Sequence, residues 1–267
     1  MPTSVFWYSI FPLLVINAYT LGALVIFSFI YKKMPKTAEV EDRHSSVVLN
    51  KWIREYWMWL TAPIFRFLLW TKITPNGVSF TGTCFAALSG VAIAFGYIGL
   101  CGWLMVIGAS FDFFDGRLAR MTNQQTEAGS FFDSSLDRMS EGLTLTGIVY
   151  YYRDSYVFWI AMAIYLGSML TSYTKAKGET MGVNYAGGMM QRPERLAYLG
   201  AGAILAPMVA YFLLPLIVKW FPGLTLQALE AFLYSLPLSI VAIFCITTSI
   251  NRIVNIMKSL TKKEFGK

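Results

Sequence analysis

The chain has 267 residues, 56% hydrophobic and 14% charged, with a mean hydropathy of +0.52. A soluble domain carries roughly a quarter charged residues, so this composition excludes an ordinary soluble enzyme and indicates one polytopic membrane domain. The formal net charge of +7 does not indicate nucleic acid. The basic residues lie in short loops between apolar runs, where positive-inside topology and anionic headgroups explain them.

Residues 5–30 are apolar and are followed by Lys32, Lys33 and Lys36. A signal peptide would have its positive charge before the apolar run and a small-residue cleavage site after it. The pattern therefore reads as a retained transmembrane helix ending in the cytoplasm, extra to the core, with a polar linker to Ser46. His44 in that linker reads as solvated. Over 46–71, Leu49, Trp52, Ile53, Tyr56 and Leu60 recur at three and four residues opposite Lys51, Arg54 and Glu55. With Trp57 and Trp59 close by, this predicts an amphipathic helix at headgroup level, ended or kinked at Pro63.

From residue 72 to the end, six apolar segments are long enough to cross a bilayer of about 20 residues per span. They are predicted near 77–98, 102–120, 130–151, 155–174, 194–218 and 228–256. The fold class is thus all-α, a membrane helical bundle of six core spans, one interfacial helix and one N-terminal extra span. With the 120–130 connection placed inside, the outer segments are 98–101, 152–155 and 219–227. Only Arg153 and Lys219 of the 22 lysines and arginines fall there, in line with the positive-inside rule. Cys84, Cys101 and Cys245 show no ligand spacing and read as small core residues.

Four carboxylates in so apolar a chain need a reason. Asp112 and Asp115 share a helix face at i,i+3, and Asp133 and Asp137 do so at i,i+4 on the next helix. Two antiparallel neighbours would aim all four at one point. Uncompensated, they would repel and be poorly solvated. A hard divalent ion, Mg²⁺ or Mn²⁺, suits such an all-oxygen set.

The order Asp-x2-Asp-Gly-x2-Ala-Arg-x8-Gly-x3-Asp-x3-Asp, running from Asp112 to Asp137, resembles the signature of the CDP-alcohol phosphotransferases at every defined position. The resemblance implies a metal-dependent transfer of a phosphatidyl or archaetidyl group from CDP-diacylglycerol or CDP-archaeol to an alcohol, with release of CMP. It makes Asp112, Asp115 and Asp133 ligands of what would be two ions, and Asp137 the general base and a further ligand. It gives Asp112, Gly116, Ala119, Arg120 and Gly129 as contacts of the cytidine diphosphate. It also implies a homodimer in the cell membrane with a cytoplasmic active site. Arg117 and Arg138 lie outside the pattern and read as interface anchors.

A second group, Lys175, Lys177, Arg192, Arg195 and Arg252, is expected to converge beside the motif. This region resembles the branch that makes phosphatidylinositol phosphate, and a doubly charged, soluble polyol phosphate needs such cations. The sequence departs from that branch at Lys177, where arginine is expected, and at Gln191, where an acidic residue is expected. The runner-up is a phosphatidylglycerophosphate synthase using glycerol phosphate. An intramembrane prenyltransferase would need two distant Asp-rich motifs. A channel or transporter would need polar residues at mid-membrane depth on several helices, and neither pattern is present.

Overall fold

The computed structural model describes residues 2–31, 51–185 and 187–265. The polar linker, with His44, Lys32, Lys33 and Lys36, lies outside the described residues. The described chain forms eight helices: α1 (Pro2–Ile30), α2 (Lys51–Thr71), α3 (Pro75–Ala94), α4 (Ile98–Met121), α5 (Glu127–Tyr151), α6 (Val157–Thr180), α7 (Arg192–Ile217) and α8 (Leu226–Phe265). Six of them, all but α2 and α5, are long and apolar enough to cross a membrane. Helix α5 has the length, 25 residues, but carries Glu127, Asp133, Asp137, Arg138 and Glu141. Its place as a core span therefore rests on its packing between α3 and α6 rather than on its own hydropathy.

Local chemistry sets the ends of the helices around the motif. The Thr74 side chain caps α3 by accepting from Gly77 N, with Pro75 in the first turn; the missing proline N–H costs nothing there. Thr126 caps α5 in the same way through Gly129 N. Helix α2 ends at Thr71, the expected limit, and contains Pro63 within it, so the proline does not end it. One expected boundary moves. Helix α6 runs to Thr180, which places Lys175 and Lys177 on a helix rather than in a loop.

The core at the end away from the motif is apolar, with Ile93, Ile98, Ile148, Ile164, Tyr234 and Leu238 at its centre. Helices α3 and α5 cross with backbone against backbone. A Cβ on Gly147 would run into the carbonyl of Gly90, and one on Gly90 into the carbonyl of Leu143. Such contact lets interhelical hydrogen bonds form, with Ser89 Oγ 2.9 Å from Thr144 Oγ1 and Ser140 Oγ donating to Thr83 Oγ1 at 3.0 Å. Small residues and hydroxyls are what hold helices together where lipid removes the hydrophobic drive. Cys101 and Cys245 are buried as expected, but Cys84 is exposed and is not a core residue.

Helix α1 is tied to the bundle at both ends. Trp103 Nε1 of α4 donates to the Ser9 carbonyl at 3.0 Å. At the other end Phe27 packs with Tyr56 and Leu60 of α2, and Tyr56 Oη donates to the Thr20 carbonyl at 2.5 Å.

Candidate active site

The last turns of α4 and the first turns of α5 bring the four aspartates together. A helix advances 100° per residue, so Asp112, Asp115, Gly116 and Ala119 share one face of α4. Asp115, Asp112 and Asp133 lie close enough for each charge to act on Asp137. Ser79 Oγ of α3 donates to Asp115 Oδ2 at 2.5 Å. Arg192, the first residue of α7, bridges the two helices by pairing with Asp112 Oδ2 and, at 2.9 Å, with Asp137 Oδ1.

The donor chemistry fits a hard divalent ion: four carboxylates and no sulfur or imidazole at the site. As the side chains are placed, no three such groups among the described residues already form a metal-holding cluster. Arg192 instead supplies positive charge to two of the four. The anionic demand is thus visible in which cation the carboxylates have drawn in.

Two cavities flank the carboxylates. The first, about 250 Å³, is lined by Gly116, Ala119, Arg120, Gly129, Asp115 and Asp133, with Asn76, Ser79, Gln124 and Thr126 among the rest. Four of the five residues expected to meet the nucleotide therefore share one wall. The fifth, Asp112, does not line it, because Arg192 holds it toward α5 and α7. A Cβ on Gly116 would meet only Arg120 Nη1, at 3.6 Å. Packing within the protein therefore leaves the space in front of Gly116 open. Sequence reasoning missed Ser79, Asn76 and the 124–126 turn as part of this wall. The only signal for them was their position beside helix caps.

The second cavity, about 260 Å³, is lined by Asp137, Arg138, Glu141, Lys175, Arg192, Arg195 and Arg252 together with Ser134, Thr171 and Ser172. It gathers four of the five cations expected to meet the acceptor. Lys177 is not among them: two residues from Lys175 on α6, it faces about 200° away and is exposed. Arg138 joins the lining, which corrects its reading as a simple interface anchor.

Arg195 is a different kind of residue from the one expected. It is 1% exposed, and its Nε and Nη2 bind Glu141 Oε1 and Oε2 at 2.6 and 2.9 Å. Its Nη1 donates to the Met190 carbonyl at 3.1 Å, and Met190 N donates to Thr248 Oγ1 at 3.2 Å. The fork is engaged by a buried carboxylate that sequence reasoning passed over. The spacing Asp133-x3-Asp137-x3-Glu141 on one helix face was the available signal. Arg252 is also tied down, with Nε donating to Gly187 O at 2.9 Å and Nη1 to Thr171 O at 2.8 Å.

A family model described as CDP-alcohol phosphatidyltransferase matches residues 72–241. A phosphatidylinositol phosphate synthase from Mycobacterium tuberculosis is 33% identical over 163 residues, covering 57% of this chain and 73% of that protein. Two crystal structures of that synthase from the same organism have similar folds. One, with CDP-DAG bound, aligns with a TM-score of 0.59 at 26% identity over 73% of this chain and 92% of its own. The other, in complex with manganese and citrate, aligns with a TM-score of 0.60 at 26% identity over 74% and 88%.

Proposed function

The chain belongs to the CDP-alcohol phosphatidyltransferase family, and from that premise we propose that it moves a phosphatidyl group from a CDP-lipid to inositol phosphate, releasing CMP. The observation that carries this reading is the pair of cavities meeting at one set of carboxylates. One has small residues, Gly116, Ala119 and Gly129, and a single fork-shaped cation, Arg120, beside Asp115 and Asp133, suited to a nucleotide diphosphate with its metal. The other is rich in cations, suited to an acceptor that brings its own phosphate. The phosphatidylinositol phosphate synthases similar to this chain support that choice of acceptor.

In the reaction the acceptor hydroxyl oxygen forms a bond to the phosphorus bearing the diacylglycerol. The bond from that phosphorus to the bridging oxygen of CMP breaks, and CMP leaves with the electron pair. Asp137, lining the acceptor cavity, takes the hydroxyl proton. Gly116 and Ala119 let the diphosphate approach the helix, and Arg120 holds it by charge-assisted hydrogen bonds. Lys175, Arg138 and Arg192 orient the acceptor phosphate. Asp112, Asp115, Asp133 and Asp137 would hold Mg²⁺ or Mn²⁺, which supplies charge neutralisation on the transferring and leaving groups. The manganese complex of the similar M. tuberculosis synthase supports the use of a divalent ion.

The family's cytoplasmic orientation fits the distribution of charge. The site end carries Lys175, Lys177, Arg192 and Arg195, whereas the opposite turns hold Arg153 and Lys219.

The test is CMP release by purified protein from CDP-diacylglycerol and CDP-archaeol, offered inositol phosphate, glycerol phosphate, inositol, serine or ethanolamine. Inositol phosphate is expected to support the fastest release. Preference for glycerol phosphate would move the chain to the phosphatidylglycerophosphate branch while keeping the role of the cations. Preference for an unphosphorylated alcohol would overturn the role given to the basic cavity.

A further inference from the structure

The carboxylate face of α4 has a reverse side, and that side is gripped by α2. Over the same two turns that carry Asp112 and Asp115, the opposite positions are Phe113, Phe114, Arg117 and Leu118. Arg117 is 8% exposed. Its guanidinium carbon lies 3.9 Å from the centre of the Phe65 ring, and its Nη1 donates to Thr61 Oγ1 at 3.2 Å; Thr61 is itself buried. The Phe65 ring also meets Phe114 edge-on, centroids 5.5 Å apart and planes at 89°. Phe65, Leu68, Phe114, Leu118 and Val78 of α3 form a small buried cluster separate from the main core. A helix-borne guanidinium placed over a ring and bonded to a hydroxyl has a defined direction that apolar contacts alone do not impose.

We propose that Arg117 is a positioning residue for the transfer reaction. By stacking on Phe65 and bonding to Thr61, it lets α2 fix the rotation of the last two turns of α4 about their axis. That rotation sets where Asp112 and Asp115 point, and how far Gly116 and Ala119 stand back from the nucleotide cavity. The inference rests on the reading of those aspartates as cation ligands and of that cavity as the nucleotide site. It adds that a helix which contributes no lining residue to either cavity governs both properties. Because α2 is amphipathic and stands outside the spanning bundle, it would carry the placement of the bilayer surface to the reacting groups.

The experiment uses the full chain in lipid nanodiscs and three readouts: Mn²⁺ affinity by electron paramagnetic resonance, KM for each substrate, and thermal stability. Arg117→Met is expected to weaken Mn²⁺ binding and raise the CDP-lipid KM by about ten-fold each, the scale of one desolvated cation–π contact. The acceptor KM should change less, by about two- to three-fold, because α4 reaches that cavity only through the Asp112 pair with Arg192. Arg117→Lys keeps a cation over the ring and is expected to recover most of both effects. Phe65→Leu, which removes the ring and touches neither cavity, should reproduce the Arg117→Met pattern and serves where Arg117→Met does not fold.

A lowered melting temperature with Mn²⁺ affinity and both KM values unchanged would make Arg117 merely structural and overturn the proposal. So would equal changes in both substrates' KM. Wild-type protein that binds no Mn²⁺ would instead defeat the assignment of the aspartates, which separates the two failures.

Discussion

The two cavities that meet at the aspartates are built in opposite ways. The nucleotide side is formed by one stretch of chain, residues 75–133, through α3, α4, α5 and one short turn, with small residues at Gly116, Ala119 and Gly129. The acceptor side is assembled from four helices, and two of its arginines are paired with carboxylates. Arg195 is paired with Glu141, and Arg192 with Asp112 and Asp137. In the proposed reading shape selects on one side and charge on the other, so substitutions on the two sides should fail differently.

The largest effect is expected where the sides join. Chelation should abolish CMP release, and Mg²⁺ or Mn²⁺ should restore it; Asp112→Asn should weaken metal and CDP-lipid binding together. Full turnover in excess chelator after verified metal removal would break the comparison at its root. Next comes Asp137→Asn, which keeps the shape but cannot take a proton. Turnover should fall by about 10²-fold or more with CDP-lipid binding retained. If it behaves like Asp112→Asn in a binding assay, the division between ligand and base is wrong.

The third prediction separates the acceptor cations from one another. Arg195→Ala strands Glu141 in the interior, so it should cost about 3–5 kcal/mol of stability, seen as a lowered melting temperature. Lys175→Ala, at a residue 47% exposed, should leave the melting temperature alone and raise the acceptor KM by about ten-fold or more. Lys177→Ala should do neither. Arg195→Ala with unchanged stability and a raised acceptor KM would restore Arg195 to the acceptor.

The smallest effect is expected from removing residues 1–45. No lining residue of either cavity comes from α1, so specific activity in detergent should stay nearly intact, although the Phe27 contact with α2 is lost. A folded truncation without turnover would make α1 part of the catalytic unit.

The sequence spoke most clearly where function follows from spacing along one helix. The pairs Asp112/Asp115 and Asp133/Asp137, and the small residues beside them, were legible because a helix converts i,i+3 and i,i+4 into a shared face. Helix number and order were legible from apolar length except at α5, which is not long and apolar enough by itself to count as a span. What was not legible depended on partners distant in the chain. Counting charges around the 175–195 region cannot tell that Arg195 meets Glu141, 54 positions away, or that Lys177 turns outward once α6 continues to Thr180. Arg117 read as an interface anchor, but it is buried: the ring that receives it sits on α2, and only the fold puts the two together. At Pro63 the sequence leaves open an end or a kink, because the local rule for proline carries no information about packing.

The polarity of α5 has a consequence for how the protein is made. A carboxylate or guanidinium at the centre of a helix entering the bilayer costs roughly 3 kcal/mol in cellular insertion, and α5 carries Asp133, Asp137, Arg138 and Glu141. By itself this segment would be a poor client of the translocon. Joined to α4 by the five residues 122–126 and seated on α3 through Gly90 and Gly147, it can enter only as one arm of a hairpin whose other members are strongly apolar. By this argument α5 should depend on its neighbours during biogenesis, with Glu141 neutralised only once Arg195 on α7 can pair with it.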